Sequence, residues 1–337
     1  MILLLTAART DLNDTIKSIA TIMRDLDGIL IFPHINMDGD ALGSSTALCL
    51  ALRSLGRKAY VMINEPVPKN LDFLECGCTT DDDSILEDVQ LSIMLDCNGM
   101  NRIPGREAAW ERGRLKGCID HHQTKAKDIR YDFSRIEPKS AATGEIVYNI
   151  IKALGVGITL DMANAIFTAI TTDTGNFQHS NTTSRSHEIA GHLYRIEGFN
   201  SKVISALIYD RRSKNAIRME GKVIDGLEFY ADGKLAVGRV TQKLLDECGC
   251  TMDEADGIIQ KMMSIDGVEG ACLFKETERG VRASLRGRSY ANMAAAAAQF
   301  GGGGHYLAAG CSFSEPIEEA EKKFIPVLID TVNTRCT

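Results

Sequence analysis

The sequence lacks a long hydrophobic run. The apolar stretch at residues 1–5 is soon followed by Thr6 and Arg9, so it is too short for the core of a signal peptide or for a membrane span. We therefore expect a cytoplasmic protein without a membrane partner. Of its 337 residues, 44% are hydrophobic and 25% are charged, which is typical of a globular chain long enough for two domains.

The cysteines predict neither a disulfide framework nor a zinc site. The chain has ten of them, but in a long chain for which we expect no export signal they should be reduced thiols. The pairs Cys76/Cys78 and Cys248/Cys250 each lie in a Glu-Cys-Gly-Cys run. Because zinc-binding cysteines are usually separated by two to four residues, this spacing does not favour a structural metal there.

The sequence also lacks an excess of positive charge. Its formal net charge is -7 at pH 7, whereas proteins that coat long nucleic acids usually carry a basic excess that neutralises phosphates. This argues against long nucleic acid as a partner. A small anionic substrate needs positive charge only locally, so it suits the composition better.

Four short apolar runs predict buried strands, at residues 28–33, 58–63, 91–96 and 115–120. Helical patterns lie between them, and the clearest covers residues 41–55, with leucines at helical spacing and Gly56 as a stop. Strands that alternate with helices are typical of an α/β fold with a parallel sheet. The ligand site of such a sheet lies at the carboxyl ends of its strands.

Side chains that can bind a metal follow three of these strands, and another follows a later helical run at residues 161–172. They are His34, Asp38 and Asp40 after the first strand, Asp96 at the end of the third, Asp120, His121 and His122 at the end of the fourth, and Asp173. Asp40 alone would be an ordinary helix N-cap, but a cap requires only one such residue. The set therefore indicates a metal centre.

The types of donor indicate which metal to expect. Carboxylates with one or two imidazoles favour hard octahedral ions such as Mn²⁺ or Mg²⁺. Because one ion cannot use so many carboxylates, the set predicts two divalent ions about 3.5–4 Å apart with one Asp between them. Such a pair activates a water and holds the oxygens of a phosphate.

The second half of the chain predicts a smaller α/β domain. Its expected elements are strands at residues 235–240 and 268–275 and helices at residues 241–248 and 253–264. Residues 184–226, which precede it, are helical and strongly charged, and this favours a connector. The predicted division is 1–185 for the metal-binding domain, 186–226 for a helical connector and 227–337 for a substrate-binding domain.

A basic, glycine-rich segment lies within the second domain. The predicted strand at residues 281–288 carries three arginines, among them Arg286, and an alanine-rich helix then leads into four glycines and His305. Four consecutive glycines form either a flexible surface loop or a backbone that approaches a ligand closely. Beside arginines and a histidine, we favour contact with a phosphate.

Together these motifs resemble a known family. The patterns His34-x-Asn-x-Asp38-x-Asp40, Asp96, Asp120-His121-His122 and Asp173-Thr-Gly are similar to the four ordered motifs of the DHH phosphoesterase superfamily. Arg286 and residues 301–305 resemble the signature of its C-terminal DHHA1 domain. The resemblance spans nearly the whole chain. It implies a parallel-sheet DHH domain that is joined by a helical connector to a smaller α/β DHHA1 domain.

The resemblance also implies a role for each residue of the site. One ion would be held by His34, Asp38 and Asp96, and the other by Asp40, Asp96, His121 and Asp173, with Asp96 as the bridge. Asp120 would orient a histidine, and His122 would stabilise the charge of the scissile phosphate or protonate the leaving oxygen. The residues implied to bind the substrate's terminal phosphate are Arg286, Gly302, Gly303, Gly304 and His305, assisted by Arg102.

Members of this superfamily act on different phosphoesters. The chain resembles the compact type that degrades very short RNA from an end and dephosphorylates 3′-phosphoadenosine 5′-phosphate, with Mn²⁺ as the preferred ion. A soluble phosphodiesterase for cyclic di-AMP or its linear product is the alternative, because it would use the same metals and phosphate pocket. A catalytically silent nucleotide-binding protein is disfavoured, since every expected ligand is present. A homodimer is compatible with the sequence.

Overall fold

The computed structural model describes residues 14–122 and 129–334, and the chain divides into two compact units, Met1–Arg211 and Arg212–Thr337. The strands of the first unit are β1 (Ile29–Phe32), β2 (Ala59–Met62), β3 (Thr79–Thr80), β4 (Leu91–Leu95), β5 (Leu115–Asp120) and β6 (Phe133–Ile136). Its helices are α1 (Ile16–Asp25), α2 (Gly39–Ser54), α3 (Glu107–Glu111), α4 (Thr143–Leu154), α5 (Leu160–Asp173), α6 (Ser184–Leu193) and α7 (Ser201–Tyr209).

The first unit is built on a parallel sheet of six strands in the order β3-β2-β1-β4-β5-β6. Each neighbouring pair is parallel, and Ile29 of β1, for example, lies opposite Ala59 of β2 and Leu91 of β4. The central strands β1 and β4 are buried along their whole length, because continuous apolar sequences suit a sheet that is covered on both faces. The predicted parallel α/β sheet is confirmed.

Two strands of this sheet are not predicted from the sequence. β3 has only two residues, and β6, with the sequence Phe-Ser-Arg-Ile, is buried at its two ends and half-buried at its two polar middle residues. Both lie at the edges of the sheet. Edge strands are often short or polar because one side of their backbone has no partner strand, so they lack the apolar run that marks β1 and β4.

Helix α2 begins within the predicted metal-binding sequence. Its N-cap is Asp38 rather than Asp40, since the Asp38 carboxylate accepts hydrogen bonds from the amides of Asp40 and Ala41. Asp40 lies in the first turn, and its side chain is fully buried. A capping role therefore does not account for Asp40.

Glycines allow α2 and α5 to approach each other closely. A Cβ atom at Gly43 would lie 2.5 Å from the carbonyl oxygen of Ala165, and one at Gly39 would lie 2.4 Å from the side chain of Thr172. The start of α2 therefore lies against the end of α5. Asp173, the last residue of α5, is thereby brought to the same place as the residues that begin α2.

The second unit is built on a mixed sheet in the order β11-β12-β10-β9-β8-β7. Its strands are β7 (Glu228–Tyr230), β8 (Leu235–Val240), β9 (Gly270–Thr277), β10 (Gly280–Gly287), β11 (Gly303–His305) and β12 (Ala308–Phe313), and its helices are α8 (Lys214–Asp225), α9 (Gln242–Cys248), α10 (Ile258–Met263), α11 (Met293–Ala298) and α12 (Ile317–Asn333). Only the β8–β9 pair is parallel among these described strands. A second α/β part is confirmed.

The segment predicted as a helical connector, residues 186–226, contains most of α6 and all of α7 and α8, and the division between the two compact units falls within it, after Arg211. The helix expected at residues 253–264 is interrupted. A 3₁₀ turn at Met252–Ala255 is followed by Gly257 with a φ of +92°, and α10 begins only after it.

Within both described ranges, we find no helix whose length and apolar character would allow it to span a membrane.

Candidate active site

Three neighbouring strands bring most of the predicted site residues to one edge of the sheet. β4 lies between β1 and β5, and it is followed by Asp96, whereas His34 follows β1 and His121 follows β5. The backbone of Asp96 has a φ of +60°, a left-handed conformation that is uncommon for residues other than glycine and is found most often at functional sites. This turn places the Asp96 carboxylate directly beyond the strand.

Six of the predicted metal-binding side chains form two adjacent groups of donors. One group is His34, Asp38 and Asp96, and the other is Asp40, His121 and Asp173; within each group the ligand atoms lie within 4.8 Å of one another. The same distance also joins Asp96, His121 and His122. Asp96 faces both groups. Its Oδ2 is 3.5 Å from Nε2 of His34, and its Oδ1 is 3.5 Å from Nε2 of His121. We call these the His34 group and the His121 group.

Both histidines of these groups present the same nitrogen to the carboxylates. Nδ1 of His34 donates a hydrogen bond to the carbonyl oxygen of Ile35 over 2.7 Å, and Nδ1 of His121 donates to that of Ser140 over 3.1 Å. Because a carbonyl can only accept, the proton of the neutral ring is on Nδ1 and the lone pair is on Nε2. The donor atoms therefore fit a hard divalent cation that binds oxygen and neutral imidazole.

The electrostatics of the site also favour a cation. Burial and the nearby charges of Asp96 and Asp173 raise the pKa of Asp40 well above its usual value. Burial and the charges of Asp96 and Asp38 do the same to the pKa of Asp173. Several carboxylates thus compete for ionisation in a small space, and a divalent ion between them would relieve this repulsion.

His122 differs from the other two histidines because a carboxylate holds its Nδ1. That nitrogen donates to Oδ1 of Asp120 over 2.7 Å, and this contact is the main cause that raises the pKa of His122 to about 9. The carboxylate of Asp120 is fully buried and also accepts a hydrogen bond from the side-chain amide of Asn98. Asp120 therefore contacts His122, whereas Nδ1 of the predicted metal ligand His121 is held by Ser140.

The sequence does not indicate that the start of α4 contacts this cluster. The hydroxyl of Thr143 donates to Oδ1 of Asp96 over 2.8 Å, and the amides of Thr143 and Gly144 donate to the two carboxylate oxygens of Asp40 over 2.6 and 2.9 Å. A Cβ atom at Gly144 would lie 2.5 Å from that of Ala169, so glycine is needed for this approach. The only signal in the sequence is a small polar residue at the start of a helix.

In the second unit, the strand register brings Arg286 and His305 onto one face of the sheet. Arg286 of β10 lies opposite Ala308 of β12, and Ala308 lies opposite His305 of β11. Side chains at directly opposed positions share a face, so Arg286 and His305 flank a small alanine. The guanidinium of Arg286 donates to the carbonyl of Leu285, and burial lowers its pKa.

The predicted glycine-rich segment forms a hairpin with β12. A Cβ atom at Gly302 would lie 2.2 Å from the carbonyl oxygen of Gly310, and one at Gly304, which has a φ of +142°, would lie 2.5 Å from that of Ala308. Close packing between strands therefore requires these two glycines. A Cβ atom at Gly303, by contrast, would meet open space, and the whole of β11 is exposed.

Arg102, the remaining predicted residue of the site, lies in a 3₁₀ turn at Met100–Arg102. Its carbonyl oxygen accepts a hydrogen bond from the amide of Ile35 over 2.9 Å. The backbone of Arg102 is therefore attached to the loop that carries His34.

The chain matches two protein-family models and is similar to two proteins that share one printed name. The chain matches the N-terminal domain of the DHH family over residues 28–172 and the DHHA1 domain over residues 232–334. It is 30% identical over 308 residues to the "Bifunctional oligoribonuclease and PAP phosphatase NrnA" of Thermus thermophilus, covering 89% of this chain and 88% of that protein. A Bacillus subtilis protein of the same name is 25% identical, covering 85% of this chain and 89% of its own.

A solved structure has a similar fold over nearly its whole length. This exopolyphosphatase-related protein from Bacteroides fragilis is 25% identical to the chain, with a TM-score of 0.87, and the match covers 94% of this chain and 96% of that one. The two family domains occur in the expected order, and each falls within one of the two compact units. The chain therefore belongs to the DHH phosphoesterase family and carries a DHHA1 domain.

Proposed function

We propose that this protein is a divalent-metal-dependent enzyme that hydrolyses short oligoribonucleotides to mononucleotides and removes the 3′-phosphate of 3′-phosphoadenosine 5′-phosphate. The observation that carries the proposal is the pair of donor groups that Asp96 joins. Two-metal hydrolases attack phosphoesters with such an arrangement. The relatives' printed names, which combine oligoribonuclease with PAP phosphatase, support this choice of substrates.

In this proposal each donor group holds one divalent ion. The His34 group would hold the first, and the His121 group together with Asp96 would hold the second, with Asp96 as a ligand of both. Because Mg²⁺ prefers an all-oxygen shell, the imidazoles favour Mn²⁺, and Mg²⁺ is the alternative. When bound, the ions supply a water activated for attack and stabilise negative charge on the phosphate oxygens.

His122 is the proposed acid at the scissile phosphate. Asp120 fixes its ring through Nδ1, and Asn98 holds the Asp120 carboxylate from the other side. Such a carboxylate keeps the imidazole in one orientation and stabilises its charged form. Held in this way, His122 stabilises charge on the phosphate or protonates the leaving oxygen.

The second unit would bind the end of the substrate. Arg286 and His305 lie on one face of its sheet, on either side of Ala308. We assign the terminal phosphate to these two residues and to the hairpin at Gly302, Gly303 and Gly304, of which Gly303 and Gly304 are exposed, because guanidinium groups and backbone amides bind phosphate oxygens well. Arg102 is assigned a supporting contact.

The same proposal gives each part of the chain a role. Residues 1–185 would form the catalytic domain, residues 186–226 a helical connector, and residues 227–337 the substrate-binding domain. The proposed partners are short RNA and small nucleotides, not long nucleic acid or a membrane. A cytoplasmic location and a homodimer stay predictions of the sequence.

A product analysis tests the proposal directly. The full chain with Mn²⁺ is offered a mixture of a short 5′-phosphorylated RNA, 3′-phosphoadenosine 5′-phosphate and cyclic di-AMP, and the products are separated by chromatography. We expect mononucleotides from the RNA and AMP from the bisphosphate. Asp96→Ala is the control, and it should abolish turnover because it removes the proposed ligand of both ions.

Each other outcome would overturn a stated part of the proposal. Selective loss of cyclic di-AMP would replace the proposed activity by that of a cyclic-dinucleotide phosphodiesterase. Binding of the nucleotides without any turnover would mark a silent nucleotide-binding protein. Equal turnover by Asp96→Ala would show that the donor groups are not the catalytic centre.

A further inference from the structure

The N-terminus of α4 reaches one carboxylate from each donor group. Thr143 contacts Asp96 of the His34 group through its hydroxyl and Asp40 of the His121 group through its amide. Thr143 and Asp40 are fully buried, and Asp96 is 2% exposed, so water does not compete for these hydrogen bonds. The proposed roles of the ligands, of His122 and of the phosphate-binding residues make no use of Thr143.

We propose that Thr143 is a positioning residue of the metal centre, holding the Asp96 carboxylate in the orientation in which one oxygen faces each donor group. The inference rests on the proposed function only in that divalent ions occupy these groups. Oδ1 of Asp96 accepts the Thr143 hydroxyl at 2.8 Å and faces His121, while Oδ2 faces His34. Because the two oxygens of a carboxylate are equivalent, a half-turn only exchanges them, but rotation out of this plane would break the hydrogen bond and turn both oxygens away.

The first turn of α4 is itself held in place from the opposite side. The buried carboxylate of Glu145 accepts hydrogen bonds from the hydroxyl of Ser186 over 2.6 Å and from the amide of Ala141 over 3.3 Å. The guanidinium of Arg185 donates to the carbonyl oxygen of Glu145 over 3.2 Å. These contacts, two of them from α6, fix the position from which Thr143 donates.

The helix N-terminus also faces the carboxylate of Asp40 directly. α4 has 12 residues, and the positive end of its dipole is directed at Asp40, whose two oxygens accept its first free amides. Such outer contacts keep ligands in place and adjust the charge that they offer to a metal. The hydroxyl of Thr143 adds a hydrogen bond to Asp96, which the amides of the helix do not supply.

Two substitutions of Thr143 test the effect of its hydroxyl independently of the shape of its side chain. Thr143→Val keeps the branched side chain but removes the donor to Asp96, whereas Thr143→Ser keeps the donor and removes a methyl group. In Mn²⁺ titrations of the metal-free full chain by calorimetry, we expect Thr143→Val to bind at least one ion roughly 10- to 100-fold more weakly. Thr143→Ser should stay within about threefold of the natural protein, since it keeps the hydrogen bond.

The loss of the Thr143 hydroxyl should also slow catalysis. On a short RNA, kcat of Thr143→Val should fall by roughly 10- to 100-fold while KM changes little, because the substrate's own contacts are intact. Thr143→Ala also removes the hydroxyl and provides a second measurement if the valine variant does not fold. Thr168→Val is the matched control, because Thr168 is equally buried in α5 but donates only to Asn164 within its own helix.

The titration distinguishes this inference from the proposed function. Unchanged Mn²⁺ affinity in Thr143→Val and Thr143→Ala would overturn the positioning role, and so would an equal loss of affinity in Thr168→Val. Because the titration needs no substrate, a natural protein that binds Mn²⁺ but does not hydrolyse RNA would overturn the proposed function and leave the role of Thr143 standing.

Discussion

Arg286 and Arg282 both lie on β10, but only Arg286 is aligned with His305 of the hairpin. Arg286→Ala should raise KM for a short RNA roughly 10- to 100-fold with little change in kcat, because a hydrogen bond to a charged group contributes about 1.5–3 kcal/mol. Arg282→Ala removes the same charge from an exposed position of the same strand and should leave KM nearly unchanged. Steady-state kinetics measures both, and a fall in kcat alone for Arg286→Ala would contradict its assignment to binding.

Glu269 shows how one carboxylate can hold a loop of the second unit. Its side chain accepts hydrogen bonds from the amides of Ser289, Tyr290 and Ala291 and from the Ser289 hydroxyl. Burial alone would raise its pKa, but these hydrogen bonds together outweigh burial and hold the pKa of Glu269 below its ordinary value of 4.5. Its ionised form therefore stabilises the folded chain.

This lowered pKa predicts a pH-dependent effect of Glu269→Gln. The stabilisation by Glu269 is present above pH 4.5 and is lost as the pH falls through the lower pKa of the folded state. The variant should therefore lose about 2 kcal/mol of unfolding free energy at pH 7, and the difference should shrink below about pH 4. Urea unfolding measures it, with Glu319→Gln, an exposed carboxylate, as control. A difference that is equally large at pH 3 would contradict the argument.

At the scale of the element, the same substitution should have opposite effects in two helices of the first unit. Gly43→Ala in α2 places a methyl group 2.5 Å from a carbonyl of α5, and overpacking of this kind costs about 1–3 kcal/mol. Gly191→Ala in α6 meets open space, so it should stabilise by about 0.5–1 kcal/mol through helix propensity. Equilibrium unfolding compares the two variants. Equal effects would show that the close approach of α2 and α5 is not tight.

The central strands could be predicted from the sequence, whereas the edge strands could not. β1 and β4 have continuous apolar sequences because both of their faces are covered. β3 and β6 contribute little to the core, and their strand conformation depends on a neighbour supplied by another part of the chain. Local pattern therefore predicts the four inner strands of the sheet and misses the two edge strands.

The residues of the site likewise fall into those that the sequence predicts and those that it does not. Its donor residues stand at strand and helix ends, where the pattern of the sequence exposes them, and the structure brings all six into two groups. Thr143 contacts residues 47 and 103 positions away in the chain, and no local pattern reports such distant hydrogen bonds. Residues that hold ligands in place are therefore found only once the fold is known.

At the scale of the whole molecule, metal binding should stabilise one unit and leave the other unchanged. Each unit encloses its own hydrophobic core, drawn from its own residues, and all six donor residues belong to the first. An ion that binds only the folded state adds RT ln(1 + [L]/Kd), which is about 2.7 kcal/mol when the ion is at 100 times its Kd. Burial and the charges of neighbouring carboxylates raise the pKa values of Asp40 and Asp173, so a dependence on a cation is physically reasonable.

Hydrogen exchange and thermal unfolding of the full chain test this expectation together. Mn²⁺ at 100 times its Kd should raise the unfolding temperature of the first unit by roughly 5–10 °C and slow amide exchange in α2, α4 and α5, while exchange in α11 and α12 stays the same. Chelation should reverse the change, and Asp96→Ala should remove most of it. Equal protection of α12 on addition of Mn²⁺, or a full shift in Asp96→Ala, would contradict a centre confined to the two donor groups, because neither result can come from ions that Asp96 holds in the first unit.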